Sequence, residues 1–220
     1  MNSFHKFRIP HSRRGVGPMA PYGPEAAFHN QTLYPVILPV PEQVQEFKPK
    51  DRVIFLSRHA RRALERSAAK SEIHTGELFK DESGMPQPFD GTFWSITHKT
   101  QYVAGVVAPT PIGIDIERIR ELSRALFRKT AAAREWALAD TEEQSLLTFF
   151  RFWTSKEAVL KATGIGIKDL LKCQVRQILD DCHLIIHYEG KDWLLEHFFY
   201  DRHIASIVQN NFHIDWAVER

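Results

Sequence analysis

Two carboxylates interrupt an otherwise apolar strand in Pro111-Ile112-Gly113-Ile114-Asp115-Ile116-Glu117. Side chains alternate faces along a strand, so Asp115 and Glu117 project together while Ile114 and Ile116 point into a core. Side-by-side acids repel unless something positive lies between them. A hard divalent cation is the commonest answer.

The chain has 220 residues, long enough for one large domain or two small lobes with a substantial core. Its hydrophobic and charged fractions are those of an ordinary globular protein. The formal net charge of +2 selects no partner in bulk, so any functional basic patch must be local. No extended basic, aromatic-laced surface is visible, which argues against nucleic acid. No apolar run is long enough to span a bilayer, and the charged N-terminal stretch is not followed by a signal-like apolar segment. Cys173 and Cys182 make no disulfide framework. The expectation is a reduced, cytoplasmic protein without a membrane partner.

Residues 1 to about 30, rich in Pro, Gly and His, read as irregular chain draped over the body. Thr32–Val40 reads as an edge strand punctuated by prolines. Asp51–Ala69 is a helix on the spacing of Val53, Leu56, Ala60, Ala63 and Leu64, with Asp51 as its N-cap. Arg58, Arg62 and Arg66 recur at intervals of four along it, with Arg61 beside them. That pattern fits either a solvated face or an anion-binding stripe. After a loop over 71–92, Phe93–His98 and Tyr102–Ala108 form a hairpin. Pro109-Thr110-Pro111 is the natural boundary between lobes at 1–110 and 111–220. Helices follow over Leu122–Lys129, Thr130–Ala139 and Glu142–Thr163, the last ending at Gly164. Strands follow at Gln174–Ile178, His183–Tyr188 and His203–Val208, with a mixed segment over Asp192–Arg202. The fold class is α+β.

Trp153-Thr154-Ser155-Lys156-Glu157-Ala158-Val159-Leu160-Lys161 supplies a third carboxylate and two lysines. On a helix Glu157 and Lys161 share a face, with Trp153 one turn earlier. Taken alone, this is also the pattern of a common surface ion pair. Cys173, Cys182, His183 and His187 match no zinc-ligand spacing, and the two histidines read as core or edge residues.

Together, Gly113-Ile114-Asp115 with Glu117 and Trp153-Thr-Ser-Lys-Glu-Ala-Val-Leu-Lys161 resemble the bipartite motif of the 4′-phosphopantetheinyl transferases, in residue types and in separation. Trp94-Ser95-Ile96-Thr97-His98 is similar to the family's upstream Asn-Leu/Ile-Ser-His segment. The helix around Arg58–Leu64 is similar to an arginine-rich helix of the enterobactin-synthase type. About half the chain precedes the first motif, which matches the longer surfactin-synthetase or enterobactin type rather than the short trimeric carrier-protein synthases.

The resemblance implies a monomeric pseudo-dimer of two similar lobes, each a small antiparallel sheet with packed helices, and an active site at the lobe interface. The implied reaction moves the 4′-phosphopantetheine arm of coenzyme A to a serine of an apo acyl- or peptidyl-carrier protein, in primary or secondary metabolism. Asp115, Glu117 and Glu157 would hold Mg²⁺. Lys161 would stabilise or protonate the leaving phosphate, and Lys156 would contact phosphate. Glu135 or Glu157 would activate the serine. Arg58, Arg62, Thr97 and His98 would bind the nucleotide phosphates, within the first lobe.

Met85 of Gly84-Met85-Pro86 departs from the pattern, since a lysine often stands there, and Lys99 is the expected compensation. The rival readings are a metal-dependent phosphohydrolase using the same acids and a non-catalytic carrier-binding module. Retention of Asp115, Glu117, Glu157 and Lys161 argues against the module.

Overall fold

A computed structural model of the protein describes residues 31–82, 84–139 and 145–220. The draped N-terminal segment expected over 1–30 and the helix start expected at Glu142 lie outside the described residues.

The expected first strand is two short ones, β1 (Thr32–Leu33) and β2 (Val36–Pro39), parted at Tyr34-Pro35. Pro35 has no N–H to give to a ladder, which suits a break there. Helix α1 (Pro49–Lys70) begins before Asp51, because Pro49 takes the first helical position, where an N–H would go unused. Asp51 therefore sits in the first turn, where its charge favours the helix dipole, and is not the cap. Leu56, Ala60, Ala63, Leu64 and Ala68 are the buried stripe. It lies on the hairpin of β3 (Phe93–His98) and β4 (Tyr102–Ala108). Gly105 of β4 permits this approach, because a Cβ there would overlap the backbone of Leu64.

The second half opens with β5 (Ile114–Arg118). Helices α2 (Arg124–Thr130), α3 (Ala133–Trp136) and α4 (Ser145–Thr163) follow. Then β6 (Gln174–Ile178), β7 (His183–Tyr188), β8 (Lys191–Tyr200) and β9 (His203–Val208) run antiparallel. The segment read as mixed is thus one regular ten-residue strand, β8. Trp193, Leu195 and His197 face the interior while Leu194 and Phe198 are half-buried on the other side, so apolarity on both faces and a polar residue inside hide the period of two.

The halves share one connectivity. A strand enters, a helix crosses, and an antiparallel run returns its last strand beside the first. In the first half β4 pairs β2 after α1; in the second β9 pairs β5 after α4. The four-stranded sheet has the order β11-β2-β4-β3 and the five-stranded sheet β5-β9-β8-β7-β6. The division expected at residue 110 is crossed by the C-terminal segment: β10 (His213–Ile214) pairs β1, and β11 (Ala217–Val218) pairs β2, both in parallel. The largest apolar cluster also spans both sheets, joining Ile37 and Val106 to Ile116, Phe152 and Ile207. Among the described residues no helix is long and apolar enough to cross a membrane.

Gly113 lets the second half close. A Cβ on it would overlap the Ala158 carbonyl of α4, so only glycine allows the helix to lie this near the start of β5. Gly113→Ala is therefore expected to destabilise the protein by at least the roughly 1–3 kcal/mol typical of overpacking. Chemical denaturation would read this, and an unchanged midpoint would contradict the close approach.

Candidate active site

Asp115 and Glu117 lie on one face of β5, as their spacing requires. Asp115 is 3% exposed. One of its oxygens, Oδ1, accepts hydrogen bonds from Lys161 Nζ at 2.7 Å and Thr97 Oγ1 at 2.9 Å. The other, Oδ2, is buried and finds no partner. Glu117 Oε1 accepts from Trp153 Nε1 at 3.1 Å and pairs with Lys99 Nζ at 2.7 Å. Thr97 and Lys99 come from the first half of the chain, Trp153 and Lys161 from α4, so the acids are gripped where the two sheets meet.

Glu157 is half-buried on α4 and within electrostatic reach of both strand acids. Burial, followed by the charge on Asp115, pushes the Glu157 carboxyl above its ordinary range. Glu117 is raised by the same two causes in the same order. These are carboxylates short of positive charge. Among the described residues no three His, Cys, Asp or Glu side chains converge into a ready metal cage, and the strand acids instead lean on Lys99 and Lys161. The donor chemistry nevertheless suits a hard cation. It offers three carboxylates, one buried oxygen of Asp115 with no bond of its own, and two acids disfavoured as anions.

Three consecutive polar residues fix the face α4 presents. Thr154 Oγ1 bonds Ser206 Oγ of β9 at 2.6 Å. Ser155 donates to His197 Nε2 of β8 at 3.1 Å, since His197 Nδ1 faces the Cys182 carbonyl, an acceptor. Burial, with nearby Arg151 adding to it, takes the His197 imidazole down to about 3, so it remains a neutral acceptor. Lys156 Nζ donates to Glu135 Oε1 at 2.6 Å and to the Thr130 carbonyl at 2.8 Å. With these three pegs inside, Glu157 and Lys161 must face β5.

Two expected roles change as a result. The side chain of Lys156 has no solvent exposure and is committed to Glu135, so it is not available to a phosphate. Glu135 is 2% exposed and fully occupied: Oε1 accepts from Lys156 and the Val175 N–H, and Oε2 accepts from the Ala132 N–H. It has no oxygen aimed at the acids. Sequence spacing cannot reveal this, because Glu135 and Lys156 meet only through the packing of α3 against α4.

On α1, Arg58 is exposed, and Arg62 lies in a shallow groove with His59, Glu65, Arg66 and Arg220, which no acid of the site shares. Arg61, one residue before Arg62 and about 100° around the helix from it, lies outside that groove. It donates to the Leu78 carbonyl at 3.1 Å and lies 5.9 Å from the centre of the Trp94 ring. His98 stands at the end of β3. Desolvation and then the charges of Lys161, Lys99 and Lys80 hold its imidazole below its ordinary range. Lys80, which no sequence pattern singles out, thereby joins Arg61, His98 and Lys161 in a cationic neighbourhood drawn from a loop, α1, β3 and α4.

The residues that suggested zinc scatter. Cys173 is buried and Cys182 exposed; His183 bonds Asp180 at 2.9 Å, and His187 bonds Asp192 at 2.6 Å.

The model of the 4′-phosphopantetheinyl transferase superfamily matches residues 111–215, which contain all three acids and Lys161. The 4′-phosphopantetheinyl transferase psf-1 of Bacillus pumilus is 32% identical over 90 residues, 40% of this chain and 39% of that one. The 4′-phosphopantetheinyl transferase gsp of Aneurinibacillus migulanus is 31% identical over 90 residues, 40% of this chain and 38% of that one. A Haemophilus influenzae protein given the same transferase name is 30% identical over 174 residues, 71% of this chain and 73% of that one. The match to the first two spans well under two thirds of their length; the third carries the likeness into the first half of the chain.

Proposed function

Because this chain belongs to the 4′-phosphopantetheinyl transferase superfamily, we propose that it transfers the 4′-phosphopantetheine arm of coenzyme A to a serine of an apo acyl- or peptidyl-carrier protein. The observation that carries this reading is the Lys161–Asp115 bond at 2.7 Å at the junction of β5 and α4, with Glu117 on the same strand face, Glu157 within electrostatic reach, and cations around His98 nearby. Acids alone would suit many metal enzymes. Acids next to several cations suit a metal-bound pyrophosphate with further phosphate attached.

In this reading Asp115, Glu117 and Glu157 hold Mg²⁺, favoured by the unpartnered Asp115 oxygen and the raised carboxyls. When bound, the ion offsets charge on the pyrophosphate oxygens. The serine Oγ bonds to the phosphorus that bears the pantetheine arm, and the bond from that phosphorus to the bridging oxygen breaks. Glu157 accepts the serine proton, directly or through a water; its raised carboxyl and half-buried position support it over the sealed Glu135. Lys161 donates to the departing adenosine 3′,5′-bisphosphate. Thr97 orients Asp115, and Trp153 orients Glu117.

The repeated strand, helix and returning strand support two similar lobes in one monomeric chain. The reach of Thr97 and Lys99 across to the β5 acids supports an active site between them. The reduced cysteines fit a cytoplasmic enzyme, whether its carriers serve fatty acids, polyketides, peptides or siderophores.

Chromatographic detection of adenosine 3′,5′-bisphosphate tests the reading. Release from coenzyme A should require an apo-carrier, and equal release without one would point to a phosphohydrolase and overturn it.

A further inference from the structure

The turn between β3 and β4 sends a cation across to the second half of the chain. Lys99 Nζ pairs with Glu117 Oε1 at 2.7 Å, so it is not free for the role expected of it, compensating for Met85. Met85 itself packs its thioether against Gly164 at the end of α4. The backbone under Lys99 is fixed. Its N–H donates to the Tyr102 carbonyl at 2.8 Å, and the Val40 N–H donates to the Gln101 carbonyl at 2.8 Å. The Gln45 side chain donates to the Thr100 carbonyl between them. The Lys99 side chain is held far less. Among the described residues its ammonium bonds Glu117 alone, and it is 38% exposed. A flexible stem with one partner and a face to solvent can swing out without moving the turn.

The two lysines on the strand acids differ in this respect. Lys161 is tied twice, to Asp115 Oδ1 at 2.7 Å and to the Ile114 carbonyl at 3.0 Å. Lys99 is tied once, and it fills its acceptor. Glu117 Oε1 also accepts the Trp153 indole N–H at 3.1 Å, so the two bonds use both lone pairs of that oxygen. Only Oε2 is then left for a metal, and an ammonium that shares a carboxylate with a divalent cation is repelled by it. The uncharged Trp153 meets no such repulsion. Asp115 and Glu157 lie within electrostatic reach of Lys99 as well, so it stands among the same three acids.

We propose that Lys99 is a tethered competitor for the metal: it neutralises Glu117 until a divalent cation displaces it into solvent, and so sets how much free cation the site needs before it loads. This rests on the transferase reading above and its assignment of Asp115, Glu117 and Glu157 as ligands. Release does not part the two halves, because Thr97 still bonds Asp115 at 2.9 Å and Tyr102 still bonds Asp201 of the β8–β9 turn at 2.8 Å.

Titration of the full chain with Mn²⁺, followed by loss of the paramagnetic resonance signal of the free ion, tests this without coenzyme A or carrier. Lys99→Met should bind Mn²⁺ about three- to tenfold more tightly than the wild type, the gain from removing an exposed, weakly held competitor. Its metal-free form should melt at or slightly below the wild-type temperature, since one exposed pair is lost. In the wild type, acylation of Lys99 by a lysine reagent, read from peptide masses, should speed up when Mn²⁺ is added. Unchanged or weaker Mn²⁺ binding in Lys99→Met would make the pair merely structural and overturn the proposal. Tighter binding with no change in Lys99 acylation would overturn it too, as the mark of charge acting without displacement. If neither protein binds Mn²⁺, the ligand assignment falls and this proposal with it, while release of adenosine 3′,5′-bisphosphate still judges the transferase reading separately.

Discussion

Glu157→Gln is expected to slow transfer by about 10²–10⁴-fold, the range for removing a general base, while the metal-free protein keeps or gains stability. The two halves of that expectation have the same origin. Glu157 sits half-buried beside Asp115, so its charged form is disfavoured and its carboxyl is raised. A carboxyl raised by folding binds protons more tightly in the native state, so its contribution to stability falls as pH climbs from the ordinary carboxylate range through the raised value. Glutamine removes that penalty. Denaturation of the metal-free protein at pH 4 to 8 should therefore give a flatter profile for Glu157→Gln than for the wild type. Parallel profiles, or full activity in the variant, would remove Glu157 from both roles.

Breaking the pair formed by Glu135 and Lys156 should do the reverse. Either Glu135→Ala or Lys156→Ala leaves a buried charge without a partner, at a cost of about 3–5 kcal/mol. The loss should be large because the pair also holds the Thr130 carbonyl and the Val175 and Ala132 N–H groups. Replacing both together, Glu135→Leu with Lys156→Met, should recover the part of the loss that comes from the unpaired charge, though not the backbone bonds, and with it part of the activity if the pair acts by positioning α4. If Glu135 were the base, the double variant would fold and stay inactive. Measuring denaturation midpoint and turnover on the same three proteins decides between these outcomes.

What could be read from the chain alone follows from how local the information is. The alternation of Ile114, Asp115, Ile116 and Glu117 puts both acids on one face of any strand, and the four-residue interval puts Glu157 and Lys161 on one face of any helix. Those relations survive folding unchanged. The division expected at residue 110 rested on its prolines alone, and the return of β10 and β11 to the first sheet was not legible, because two-residue strands have no periodicity to detect. That Lys156 turns inward and that Lys80 lies near other cations was illegible for a related reason. A lysine beside a site residue in sequence points about 100° away on a helix, and here that direction is the core. A lysine in a loop has no pattern at all, so nothing in the chain marks Lys80 as the partner of Pro86 in a bridge. Thr154, Ser155 and Ser206 look like ordinary polar residues; only burial marks them as the pegs that set the face of α4.

The central claim is that these acids and lysines move phosphopantetheine to a carrier serine. The intact mass of an apo-carrier protein, recorded after incubation with the full chain, coenzyme A and Mg²⁺, tests it most directly. The carrier should gain the mass of one phosphopantetheine on its serine, and should gain it about 10²–10⁴-fold more slowly with Glu157→Gln. An unchanged mass across both acyl- and peptidyl-carriers, with coenzyme A bound and the protein folded, would contradict it.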